Sequence, residues 1–194
     1  MLDERKLFKT NELGIELYYK LELDGLPEAV YEIPEGILNE EANIQHDGGR
    51  IAKFYKRLLY EFGNTEFNHL TNAKIHFLWK SKGGKNGGRR ILGKCKKPTG
   101  ELRFYADADY VIVFSADHCS ELNENKMPIK NWQILALLFH ELKHTCIDKN
   151  GKFSTKGHDF EGFHRELELF GGWKSDAEQI IKTSQKLPLF EGVS

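Results

Sequence analysis

The chain predicts an α+β fold, in which a few short strands form a small twisted sheet packed on one central helix. Three observations carry this reading. Residues 132–146 (WQILALLFHELKHTC) are the most apolar helix-forming stretch in the chain. Two β-prone segments, AKIHFLWK at 73–80 and YVIVFSA at 110–116, lie upstream of it. Before both, Ile51, Phe54, Tyr55, Leu58, Leu59 and Phe62 fall at i, i+3, i+4, i+7, i+8 and i+11, the spacing of an amphipathic helix closed by Gly63. At 194 residues the chain is long enough to bury a sizeable core as one domain without disulfides or a structural metal.

Taken in order, Ile15, Leu17, Tyr19, Leu21 and Leu23 alternate with Glu16, Tyr18, Lys20 and Glu22 and precede Asp24-Gly25. This predicts a half-buried strand, with a hairpin returning through Val30 to Ile33. Pro34-Glu35-Gly36 breaks the chain, and 38–49 reads as loop or irregular helix. In the 73–80 strand Ile75, Phe77 and Trp79 share a face. Residues 81–90 (SKGGKNGGRR) form a loop, 91–97 resume as a strand, and 110–116 reads as a strand buried on both faces. Asn131 is the expected N-cap of the apolar helix. Beyond it, Asp148-Lys149-Asn150-Gly151-Lys152 is a turn by composition. Phe160, Phe163, Leu167 and Phe170 mark a further helix ended by Gly171-Gly172, and Ser175-Asp176-Ala177-Glu178 is a capping box opening a last one.

Lys and Arg total 28 against 29 Asp and Glu, so the molecule as a whole has no call for a polyanionic partner. The charge is unevenly spread, however. Lys80 to Lys97 holds eight basic and no acidic side chains. As a hairpin tip these cations are simply solvated; as an interaction surface they would meet nucleic acid or an acidic substrate. Its glycines do not form a phosphate loop, which needs a lysine-serine/threonine ending with a helix behind it. Cys95, Cys119 and Cys146 are odd in number, well separated and without a CxxC pair, which points to reduced thiols in a cytoplasmic protein. The N-terminus MLDERKLFKT has no apolar signal core, and the longest uninterrupted apolar run, Ile134 to Phe139, is too short to span a bilayer. A soluble protein with no membrane partner is expected.

The chemistry concentrates in His140-Glu141-Leu142-Lys143-His144. On a helix, histidines four residues apart stand on one face, one turn above each other, and can grip one metal ion. A catalytic zinc takes three protein ligands and keeps a fourth position for water, which a carboxylate outside the ligand set deprotonates. Glu141 suits that role. Lys143 is the misfit, because the intervening positions of such helices are normally uncharged. A third ligand has to come from the downstream candidates His158, Asp159, Glu161, His164 and Glu166. After a reversal of direction it should lie near the start of the next helix, a condition that His158 meets, with Glu161 and His164 as alternatives. Asp159 could instead hold a ligand imidazole in its tautomer. His46, His69, His76 and His118 are isolated in sequence. For an oxyanion-stabilising group Arg103, Tyr105 and His118 are available, and no spacing selects among them.

In their order TNAKIHFLWK, ILGKCKK, YVIVF, HELKH and GHDFEGFHRELELFGGW, over residues 73–173, the chain resembles the phage metallopeptidase family of zincin-like domains. The segment 157–163 is also similar to the HGxxF pattern of SprT-like metalloproteases, with Asp159 standing where that pattern has glycine. The resemblance implies a zincin-like domain, a peptide or protein substrate, zinc held by His140, His144 and His158, Glu141 as general base, and, for a phage-encoded protein, the cytoplasm of a bacterial host. It leaves residues 1–48 as a strand-containing N-terminal elaboration of a 49–194 metallopeptidase domain, the two forming one compact unit. Two other readings are open at this point: a zincin-fold protein that works by binding a host protein or nucleic acid through 80–97, and a metal hydrolase acting on a bond other than the peptide.

Overall fold

A computed structural model describes residues 12–122, 126–158 and 163–173. Its main sheet has four strands in the order β1 (Ile44–His46), β2 (Ile75–Lys80), β6 (Tyr110–Ser115) and β5 (Gly93–Lys96). Strands β2 and β6 run parallel, while β1 and β5 are antiparallel to their neighbours on either side. The register aligns Phe77 with Ile112 and Trp79 with Phe114, so one face is a continuous apolar surface with Tyr110 at its end. On the other face Val111 and Val113 are only half-buried, which corrects the expectation that this strand is buried on both sides. Between β2 and β5 the glycine-rich loop holds a two-residue hairpin, β3 (Lys85–Asn86) with β4 (Arg89–Arg90).

The apolar face packs on helix α6 (Asn131–Lys143), in which every residue from Asn131 to Leu142 is buried. A helix that is apolar on all sides must be enclosed on all sides. The sheet with β5 covers one flank, α3 (Arg50–Phe62) another, and α1 (Glu12–Lys20) and α7 (His164–Phe170) the rest. Phe139 shows the packing: its ring meets Phe62, Phe67 and Phe170 at 5.9, 5.2 and 5.5 Å between centroids. Lys130, not Asn131, stands at the N-cap, its N–H donating to Gln133 Oε1 at 3.0 Å. Asn131 is already helical and ties loops together, with its Oδ1 accepting from Arg50 at 3.2 Å and its Nδ2 donating to Leu26 O at 2.9 Å.

The N-terminal segment departs most from expectation. The predicted strand at 15–23 is helical as far as Lys20, within α1, and the buried Gly14, Leu17 and Tyr18, with Leu21 just after the helix, keep a helical period that the alternation of Ile15, Leu17, Tyr19 and Leu21 obscures. Tertiary contact selects the helix. A side chain at Gly14 would stand 2.6 Å from the Trp132 ring, and Tyr18 packs edge-on to Phe54 at 5.9 Å. Val30–Ile33 forms no hairpin with it; Val30 bridges Lys130 and Tyr31 N–H donates to Ile129 O at 2.9 Å. Within 38–49, Ile44–His46 takes a place in the sheet; a short α2 (Glu35–Leu38), with Pro34 at its N-cap, takes in Glu35 and Gly36 of the predicted break, and the short α4 (Glu101–Ala106) and α5 (Ala116–Ser120) stand before and after β6 in the chain. Phe160 and the capping box at 175–178 lie outside the described residues.

One buried carboxylate joins these parts. Asp47 Oδ1 accepts from Tyr31 Oη at 2.9 Å and Trp79 Nε1 at 2.8 Å, and its Oδ2 accepts from Ile51 N–H at 2.6 Å in the first turn of α3. Burial together with Asp47 pushes the Tyr31 hydroxyl far up, so it remains a donor. An Asp47→Asn change offers one acceptor oxygen to donors on both sides. It should lower stability by about 1–3 kcal/mol in chemical denaturation, with the cost of one buried unmet group.

Candidate metal centre and active site

The site forms at the C-terminal end of α6, where a hairpin turns the chain back over the helix. Strand β7 (Thr145–Ile147) follows His144 directly and pairs antiparallel with β8 (Phe153–Thr155). Asp148 makes the turn, its Oδ1 accepting from Asn150 N–H at 2.8 Å and Lys152 N–H at 2.9 Å. The returning chain is clamped at its far end, with Lys156 N–H donating to His144 O at 2.8 Å. Two residues later His158 stands over the helix, on the segment between β8 and α7 rather than at the start of α7.

This brings His140, His144 and His158 together, with one ring nitrogen from each lying within 4.8 Å of the others. The Nε2 atoms of His140 and His158 are 3.1 Å apart. What makes the cluster suitable for a cation is the partner held by the remote nitrogens. His140 Nδ1 is 2.6 Å from Glu166 Oε2, and His144 Nδ1 is 2.8 Å from the Lys156 carbonyl. A carboxylate and a carbonyl can only accept, so each Nδ1 carries the hydrogen and each Nε2 keeps its lone pair for the site. Burial grades outward from His140 through His144 to the exposed His158, so the cluster opens to solvent on the His158 side. Phe163, fully buried, packs its ring at 5.4, 5.1 and 5.3 Å from the His140, His144 and His158 rings and forms an apolar wall.

Glu141 is 2 % exposed and adjoins strand β5. A methyl group at Gly93 would stand 2.5 Å from Glu141 Oε1, so the missing side chain is what lets the carboxylate lie against the strand. Beside it, burial first and the Glu141 charge second push the Cys95 thiol up to about 12, which keeps this sulfur neutral. Lys143, the misfit inside the motif, is turned to the side. Its Nζ donates to Glu66 Oε2 at 2.7 Å, and Glu66 Oε1 is 3.2 Å from Arg165 Nε. Because Arg165 continues to hold Glu66, Lys143→Ala should cost only about 1 kcal/mol in thermal or chemical unfolding, with metal content unchanged.

Of the other candidates, Glu166 borders the cluster through His140, and the remaining described ones lie apart from it. His164 is exposed at the first position of α7, and Asp159 and Glu161 fall outside the described residues. His69 contacts Thr145 Oγ1 at 2.8 Å, His76 the Ala106 carbonyl at 3.0 Å and His118 the Ile91 carbonyl at 2.9 Å, while His46 stacks edge-on against His76. Of the groups considered for the oxyanion, Arg103 pairs with Asp109 at 3.5 Å, Tyr105 is 81 % exposed, and His118 is tied to Ile91. The positioning roles of Glu166, the Lys156 carbonyl and Gly93 escape a reading of the sequence. For Glu166 a signal existed, since an acid three residues after Phe163 and four before Phe170 sits on the apolar face of that helix.

A mixed α+β chain in which an HExxH helix and a returning segment gather three imidazoles has the donor set of a metal-dependent protein. The chain belongs to the putative phage metallopeptidase family, whose model matches residues 48–184, more than half its length. No curated protein and no solved structure matches it. The family match takes in the sheet from β2 onward, the motif helix, and the hairpin with the segment after it that carries His158. Among the described residues no helix is long and apolar enough to cross a membrane.

Proposed function

We propose that the protein is a zinc-dependent metallopeptidase of zincin-like fold, with His140, His144 and His158 as the metal ligands and Glu141 as the general base. The observation that carries this reading is the convergence of three imidazole nitrogens within 4.8 Å, with the Nδ1 atoms of the two helical histidines held by acceptors. Three imidazoles that open to solvent on the His158 side are the donor set of a catalytic zinc, as distinct from the closed four-ligand set of a structural one. When bound, the metal supplies Lewis-acid polarisation of the scissile carbonyl and lowers the pKa of a water nucleophile. Glu141 takes a proton from the attacking water and hands it to the leaving amine. Glu166 and the Lys156 carbonyl orient the ligand rings, and Phe163 keeps the inner side of the site dry. Strand β5, at the sheet edge beside Glu141, receives the substrate in extended form.

Residues 1–48 fit the role of an addition to a 49–194 peptidase domain, and the cytoplasm of a bacterial host is the compartment that a phage protein with this cysteine pattern would occupy. The similarity of 157–163 to the SprT-like pattern rests on sequence alone. Elemental analysis of protein prepared with zinc, combined with hydrolysis of an unfolded protein before and after chelation, tests the reading. One zinc per chain, and cleavage lost on chelation and restored by zinc, are expected; a chain that takes up no metal sinks it. If Glu141 acts from its place against β5, Gly93→Ala displaces the carboxylate and should lower kcat/KM by about tenfold or more with zinc content unchanged.

A second reading, a binding protein that keeps the fold, draws on the exposed basic hairpin at 85–90. Retention of DNA that weakens steeply with salt in wild-type protein, and in Lys85→Glu/Arg89→Glu protein no retention, would support it.

A further inference from the structure

We infer that the open edge of β5 selects substrate segments carrying acidic side chains at alternate positions, and that Lys94 and Lys96 are the residues that select them. The inference rests on the peptidase reading and adds a specificity to it. β5 pairs on one side with β6, from Gly93↔Phe114 to Lys96↔Val111, and on the other is, among the described residues, the last strand of the sheet. Ser115 N–H donates to Leu92 O at 2.8 Å across this pair, which marks Leu92 and Ser115 as a hydrogen-bonded pair of the ladder. The alternation of an antiparallel ladder then turns the main-chain groups of Lys94 and Lys96 inward to β6 and those of Gly93 and Cys95 outward to the open edge.

The side chains alternate between the two faces of the strand. Gly93 and Cys95 are half-buried on the side of α6 and Glu141, whereas Lys94 and Lys96 are exposed on the opposite face. A polypeptide added at this edge bonds to Gly93 and Cys95 through its backbone, beside Glu141. Its side chains fall in turn toward the metal-binding face and beside the two lysines. Residues directly opposite on one face bring their Cβ atoms to about 4.5–5.5 Å, close enough for a lysine to favour Asp or Glu and to disfavour Lys or Arg. Neither lysine has an ion-pair partner among the described residues, and the sequence has no acidic residue from Lys80 to Lys97 to neutralise them. Edge lysines also serve to prevent pairing between molecules, and that simpler role predicts no register-dependent preference.

Fluorescent decapeptides bound to zinc-loaded Glu141→Gln protein, followed by anisotropy at low salt, separate the two. One peptide alternates glutamate with valine and threonine, a second carries lysine at the same positions, and a third has the composition of the first with its glutamates contiguous. The alternating glutamate peptide should bind about tenfold more tightly than the lysine peptide, and more tightly than the contiguous one. Lys94→Glu/Lys96→Glu should invert the first preference, while Lys56→Glu, on α3, should leave it unchanged. Equal binding of all three peptides, an equal effect of Lys56→Glu, or displacement of the peptide by an oligothymidine that binds more tightly overturns the inference. The same peptides given to the wild-type zinc protein keep it apart from the parent reading. Cleavage without a preference for acids defeats the specificity alone, and selective binding without cleavage defeats the hydrolytic reading while supporting the edge as an acidic-peptide site.

Discussion

Glu141→Gln is expected to reduce hydrolysis by about 10²–10⁴-fold, the range contributed by one general base, while leaving the metal in place. The two consequences come apart because Glu141 lies outside the three-histidine group. Glutamine has the same shape, so a side chain that is 2 % exposed and lies against Gly93 can be exchanged without a cavity or a clash. What is lost is the capacity to accept a proton. The check is kcat/KM on one peptide together with zinc stoichiometry and a thermal melt. Loss of zinc in parallel with activity would make Glu141 a ligand or a structural residue and would remove it from the role of base. Retained activity would do so as well, and would point to a proton acceptor elsewhere in the site.

The parts of this molecule that can be read from its sequence are those whose pattern persists. Helix α3 shows its buried stripe over thirteen residues, and β2 and β6 show dense β-branched and aromatic runs. Helix α6 is unmistakable because Ile134 to Phe139 is the longest uninterrupted apolar run in the chain. Short or ambiguous segments are decided by their partners instead. Ile44–His46 is a strand because β2 offers an edge to it, and α1 is a helix because Gly14 fits beneath Trp132; neither cause is local. The same division runs through the site. The two helical histidines and Glu141 are fixed by a five-residue spacing, and the turn at 148–152 shows that the chain comes back before His158. The fit of Lys143 depends on Glu66, seventy-seven residues away, and the place of Glu141 depends on a glycine in a region rich in glycines. Only the folded chain distinguishes Gly93 from its neighbours.

Glu166→Gln should lower zinc affinity by about 10–100-fold, the usual cost of losing a partner to a ligand imidazole. Glu166 is 3 % exposed and serves two donors, with Oε2 accepting from His140 Nδ1 and Oε1 from Trp173 Nε1. A carboxylate has an acceptor for each; an amide has only one. If the amide oxygen stays with Trp173, its NH₂ group faces His140 and forces the imidazole proton from Nδ1 to Nε2, the atom that should hold the metal. If the amide turns over, His140 is satisfied and the NH₂ group is set against the indole N–H. The first orientation keeps both bonds but blocks the ligand atom, and the second leaves the ligand atom open but loses one of the two buried bonds. Glu166→Ala removes both bonds and should add an unfolding penalty of about 3 kcal/mol or more in the metal-free protein, because two buried donors, His140 Nδ1–H and Trp173 Nε1–H, are left unmet. Competition with a zinc chelator measures the first effect and chemical denaturation without metal the second. Wild-type zinc affinity in both variants would show that the tautomer of His140 is set by something other than Glu166, and the account of how this helix prepares its ligands would have to be given up.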